Sequence, residues 1–137
     1  MKKLTIILSV LLIFFIGCDK STHGTTINKP SRRGWDGELK GLYVDRVSIL
    51  IDETSDGQAY VIIRGDIENT STTKTFQDLS IGAELRTNDG RLGGEEHLRG
   101  PDTVFSLRPG ERETFEIRID NPARGSYDVI FNLRGGL

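Results

Sequence analysis

Several short stretches of this chain bring chemically capable side chains together. Glu95, Glu96 and His97 form its one local cluster of acid and imidazole. A metal centre takes three or four ligands at suitable spacing, but the second histidine, His23, lies far upstream. General acid–base catalysis needs carboxylates converging in a cleft, and the spacing shows none, so a polar strand face is expected. Asp52-Glu53-Thr54-Ser55-Asp56-Gly57 opens like a calcium loop, but the twelfth position, which should carry a bidentate glutamate, is Ile63. A polar hairpin loop is expected there. Arg64-Gly65-Asp66 spells an adhesive tripeptide. Such recognition needs an exposed loop tip, whereas this copy lies inside a predicted strand with Gly65 on the inward face between Ile63 and Ile67. Asn69-Thr70-Ser71 has the form of a glycosylation sequon, and a turn accounts for it. Gly93-Gly94 lacks the following helix of a phosphate loop, and there is no Gly-x-Ser-x-Gly elbow. No catalytic residue, metal ligand or cofactor is expected. Trp35 and Tyr43 are expected to cap the end of the core or to serve as a docking anchor.

The residue with the clearest chemistry is Cys18, the only cysteine. Lys2 and Lys3 precede an apolar run from Leu4 to Ile16, then Gly17, Cys18 and polar sequence. This is the order of a secretory signal peptide over 1–17, with cleavage after Gly17. The run is shorter than the roughly 20 residues needed to span a bilayer. A lone cysteine in an exported protein has no internal disulfide partner. Phe15-Ile16-Gly17-Cys18 resembles the lipobox of bacterial lipoproteins. The resemblance implies that Cys18 becomes the first mature residue, its sulfur carrying a diacylglycerol and its amine acylated as well. Two or three chains hold a protein on a membrane where one does so only marginally. A plain cleaved signal peptide and an uncleaved short anchor are the alternatives. The implied location is the exported side of a cell membrane. Asp19 leans toward retention in the inner membrane by the rule of enteric bacteria, which leaves inner against outer open.

Removing residues 1–17 takes two lysines and leaves 16 basic against 20 acidic residues, a net charge of −4. That is no electrostatic footprint for nucleic acid. Residues 18–38 are rich in Ser, Thr, Gly, Lys and Arg and carry few apolar side chains besides Ile27 and Trp35. They are expected to form a flexible tether, with the domain spanning 39–137.

From Leu42 onward the apolar period is two. Val61, Ile63, Gly65 and Ile67 share one parity, as do Leu79, Ile81, Ala83 and Leu85; Phe115, Ile117 and Ile119; and Tyr127, Val129, Phe131 and Leu133. Asp56-Gly57, Asn69-Thr70-Ser71, Asn88-Asp89-Gly90, Arg108-Pro109-Gly110 and Asn121-Pro122 separate the runs with turn chemistry. The expected strands are 42–51, 58–68, 76–87, 91–98, 103–107, 112–120 and 126–134. About seven antiparallel strands at this spacing predict an all-β, immunoglobulin-like sandwich without a disulfide, with a small barrel as alternative.

The stretch Ile63-Arg64-Gly65-Asp66-Ile67-Glu68-Asn69-Thr70, the turn Asn88-Asp89-Gly90, and Leu107-Arg108-Pro109-Gly110-Glu111 before Phe115 together resemble the FxLYD domain and its immunoglobulin-like bacterial relatives, over about 58–134. The family's naming motif is replaced here by Ala83-Glu84-Leu85-Arg86-Thr87. The resemblance implies a non-enzymatic envelope module. The expected function is protein–protein interaction in the envelope through an edge strand or loop surface, as sandwiches bind by strand addition. A small-ligand or carbohydrate-binding module is the alternative, made less favourable by only ten aromatic residues. An enzyme ranks third.

Overall fold

Alternate burial organises the structure, a computed structural model that describes residues 24–97 and 104–137. The inward-parity residues Val61, Ile63, Ile67, Leu79, Ile81, Ala83, Leu85, Phe115, Ile117, Ile119, Tyr127, Val129 and Phe131 are all buried, and they form one core with Leu42, Val44, Val47, Phe76 and Leu107. Strands of this pattern need a second apolar layer, and two facing sheets supply it.

Among the described residues there are nine strands: β1 (Thr25–Asn28), β2 (Arg33–Gly34), β3 (Leu42–Glu53), β4 (Ala59–Asn69), β5 (Phe76–Arg86), β6 (Leu92–His97), β7 (Phe105–Leu107), β8 (Arg112–Asp120) and β9 (Gly125–Gly136). One sheet runs β2-β3-β4-β8. The other runs β1-β9-β5-β6, with β7 also paired to β5. The chain crosses between sheets after β1, β4, β7 and β8, and the last three crossings give the Greek-key pattern of immunoglobulin-like sandwiches. All pairs are antiparallel except β1 with β9.

The hairpins β3–β4 and β5–β6 use the same five-residue device. Thr54-Ser55-Asp56-Gly57-Gln58 and Thr87-Asn88-Asp89-Gly90-Arg91 each pair the Thr amide with the carbonyl four residues on and the Gly amide with the Thr carbonyl. In each, the Thr hydroxyl donates to the Asp carboxylate. Gly57 and Gly90 sit at φ +82° and +84°, the left-handed position that closes a three-residue hairpin loop. Irregular pairing at Asp45/Ser48 in β3 and Gln77/Ser80 in β5 coincides with left-handed Arg46 and Asp78, as at β-bulges.

The tether expected over 18–38 is corrected from Thr25 onward; residues 18–23, with Gly17, Cys18 and Asp19, lie outside the described residues. β1 lies parallel to β9, pairing Thr25 with Gly125 through Asn28 with Asp128. The chain then changes sheets, and Arg33 and Gly34 pair with Val44 and Tyr43 of β3. Ile27, Trp35 and Leu39 pack against the core, and a 3₁₀ turn spans Gly37–Leu39. Few side chains are buried here because the pre-formed edges of β9 and β3 supply the backbone partners. The folded unit therefore starts near residue 25 instead of 39.

Candidate functional site

The course of the N-terminal segment leaves a strand edge without a strand neighbour, approached among the described residues only by Arg33, Trp35 and the Gly37–Leu39 turn. β9 is bonded to β5 along one side, from Asp128 opposite Arg86 to Gly136 opposite Gln77. On its other side β1 covers only Gly125–Asp128, and the Asn28 amide nitrogen donates to the Asp128 carboxylate at 2.8 Å where β1 ends. From Val129 to Gly136 no described strand pairs with that side.

A groove of about 580 Å³ opens from this edge across the outer face of β9, β5 and β6. Arg33 and Trp35 of the crossing segment form one wall, Phe131, Asn132, Leu133 and Arg134 of β9 the floor, and Glu84 and Glu95 the far rim. The Arg33 guanidinium lies 5.8 Å from the Trp35 ring centroid. Asn132 donates to Glu84 at 2.9 Å, and Arg86 also donates to Glu84 at 2.9 Å. The volume is that of an ordinary binding cleft. Trp35 therefore caps the core and lines the groove at once, whereas Tyr43 lies outside it, stacked with Arg32 at 4.1 Å and packed over Gly34.

The residues with apparent chemistry are held elsewhere. Arg64 donates to Glu116 at 2.6 Å, and Asp66 accepts from Arg112 and Thr114, each at 3.1 Å. Arg112 also reaches Glu68, and Arg46 approaches Asp66 at 3.7 Å. The hydrogen bond to Asp66 raises the pKa of Arg112. The tripeptide thus lies mid-strand in an ion-pair ladder on the outer face of β4 and β8. Gly65 serves packing: a Cβ there would lie 2.8 Å from Cζ of Phe115 and 3.2 Å from the Asp45 carbonyl oxygen. Gly65→Ala should cost about 2 kcal/mol by overpacking, while Arg64→Ala should stay within about 0.5 kcal/mol, since exposed pairs contribute little. Urea unfolding midpoints check both.

Asp52 accepts from the Glu53 amide and the Tyr60 hydroxyl, and Asp56 from Thr54, so the loop's carboxylates bond locally instead of converging. The Thr54 hydroxyl holds the Asp56 carboxyl below its ordinary pKa. Glu95 stands opposite Glu84, Glu96 opposite Ala83, and His97 at the register of Gly82, which spreads that cluster along β6. Among the described residues no group of three or more His, Cys, Asp or Glu is placed to hold a metal. Gly93 and Gly94 admit the Tyr127 ring and the Ile119 side chain, which a Cβ at either position would strike.

Asn69 is the site residue that sequence reasoning passed over. It is fully buried, the only polar residue so placed among those described. Its amide donates to the Lys74 carbonyl at 2.7 Å and the Leu107 carbonyl at 3.0 Å, and its side-chain oxygen accepts from the Ser71 amide at 2.9 Å. Its backbone pairs with Glu111 and Gly110. The sequon is thus a buried junction, and its parity gave the signal: 69 continues the inward series 61, 63, 65, 67.

No family model matches the chain. No curated protein matches it either. Among solved structures it is similar to a β-glucuronidase from glycoside hydrolase family 2, at 12% identity and a TM-score of 0.42. That likeness covers 65% of this chain and 11% of the other, so the chain spans a small part of that enzyme's length.

Proposed function

We propose that this protein is a membrane-anchored bacterial lipoprotein whose β-sandwich is a non-catalytic module for binding another envelope protein. The observation that carries the binding half is the β9 edge without a strand neighbour and its Trp35-walled groove. Open strand edges template pairing with other chains, and folded proteins leave them bare only at a cost in specificity. The anchoring half rests on Phe15-Ile16-Gly17-Cys18 and the leader before it. The pattern-level likeness to the FxLYD domain agrees with an envelope module. The likeness gains a physical reason, since Asn69 bonds directly to Leu107, Gly110 and Glu111, the residues that carry it.

The position of β1 sharpens the geometry of anchoring. Six residues separate Cys18 from Thr25, a reach of at most about 25 Å fully extended. Thr25 lies beside Gly125, at the end of the sandwich that carries the 54–58 and 87–91 hairpin loops and the turn after Asp120. A lipid on Cys18 would hold that end toward the bilayer. Cys18→Ser should leave the precursor unacylated and move the protein out of the membrane fraction. Unchanged fractionation would refute the anchor.

A second reading, a carbohydrate or small-ligand module, has one observation in its favour: the single tryptophan walls the groove. Soluble oligosaccharides that change Trp35 fluorescence would support it over a protein partner.

A further inference from the structure

We infer that the β9 edge from Val129 to Gly136 receives an extended, acidic segment of a partner protein as an added strand. This rests on the interaction reading above and names the surface and the partner's chemistry. Three observations carry it.

The first is length. Eight consecutive residues of β9 have no strand neighbour on that side among the described residues, enough for a strand of ordinary length.

The second is the lack of protecting residues in the strand itself. Proteins guard open edges with charges, prolines, bulges, short strands or a covering helix or loop. β3, uncovered beyond Val44, is bulged at Arg46 and carries Asp45, Arg46, Asp52 and Glu53. β6 is short and carries Glu95 and Glu96. β8 carries Arg112, Glu113, Glu116, Arg118 and Asp120. The free part of β9 has one charge, Arg134, no proline, and regular pairing with β5 from Ser80 to Arg86, irregular only between Arg134 and Gly136; the Gly37–Leu39 turn approaches it without pairing as a strand.

The third is charge. Arg33 and Arg134 line the groove, both are exposed, and neither has a carboxylate partner among the described residues. Glu84 is already engaged by Asn132 and Arg86, and Glu95 is about two strand spacings, roughly 10 Å, from β9. An acidic side chain on the outer face of an incoming strand would meet Arg134, and another at the rim would meet Arg33. Side chains of the opposite parity would point toward Trp35 and Leu133. The segment that fits is thus extended, apolar at alternate positions and acidic between them.

The test uses the full chain in detergent micelles and synthetic peptides of about nine residues, alternating Val with Thr and carrying Glu at two outward positions. Control peptides place Lys at those positions, or Pro at the centre. The acidic peptide should slow amide exchange of 129–136 about tenfold, leave 45–53 unchanged and shift Trp35 fluorescence. The lysine peptide should bind at least about tenfold more weakly, and Arg134→Glu should reverse that order. Absent protection, protection at 45–53, or equal binding of acidic and basic peptides would overturn the inference. If a photocrosslinker elsewhere on the domain captures a protein while 129–136 stays exchange-exposed with every peptide, the edge assignment falls and the interaction module stands. Retention of Cys18→Ser on membranes would remove the anchor and leave the edge untouched.

Discussion

Replacing Asn69 by alanine should lower the stability of the domain by about 3 kcal/mol, since each buried hydrogen bond contributes on the order of 1 kcal/mol and stranded partners add a desolvation cost. Three side-chain bonds vanish at once, to Lys74, Leu107 and Ser71. The Leu107 carbonyl suffers most, because Leu107 is buried and water cannot replace the lost donor. Ser71 and Lys74 are half-exposed, which keeps the total below the upper range for a buried network. The damage is more than local. These bonds tie the end of β4 to the 69–74 loop and to β7, so both sheets lose a common junction, while the backbone bonds to Gly110 and Glu111 stay in place. Asn69→Asp tests the chemistry of the amide. An ionised carboxylate donates nothing to the two carbonyls it would face, so the fold favours the protonated form and raises its pKa above the unfolded value. The native state then binds more protons than the unfolded one, so stability should fall as pH rises from about 4. Urea unfolding at pH 4 and pH 7 measures both effects. A midpoint like that of the parent for Asn69→Ala would show that the junction is not needed.

Asn69 also shows what a single sequence makes legible. Its parity and the turn residues after it are readable, and so are the five long strands β3, β4, β5, β8 and β9, because period-two burial is a local signal. The bond from Asn69 to Leu107 spans 38 residues and has no local trace. The N-terminal segment was missed for the same reason. Thr25-Thr26-Ile27-Asn28 buries little, so its composition reads as solvated chain, yet its place is set by backbone pairing to β9, a hundred residues away. The candidate site inherits that difficulty. Val129, Phe131 and Leu133 announce a strand, but whether its edge is covered depends on where β1 leaves it. Sequence reasoning expected an edge strand or a loop surface as the contact. Which strands lie at an edge is legible only in the topology.

The interior invites a harsher test. Phe131→Ala should cost about 4 kcal/mol, as a large buried aromatic truncated to alanine loses its transfer energy and leaves a cavity. The ring is 1% exposed and meets Phe115 edge-to-face, with centroids 5.6 Å apart and planes at 75°. Phe115 in turn lies over the bare backbone of Gly65. The three residues form a stack from β9 of one sheet, through β8, to β4 of the other. Their energies should therefore not add. In the parent, a methyl at Gly65 pushes Phe115 toward Phe131, which has no room to yield. With Phe131 truncated, the displaced ring has a cavity to enter, and the about 2 kcal/mol penalty of Gly65→Ala should shrink by at least about 1 kcal/mol. Unfolding of the two single variants and the double variant measures the coupling. Strict additivity would show that Phe115 relieves the Gly65 contact some other way, by rotating within its own layer. A positive coupling energy, with the double variant worse than the sum, would mean that the stack is held by mutual support instead of by filled space.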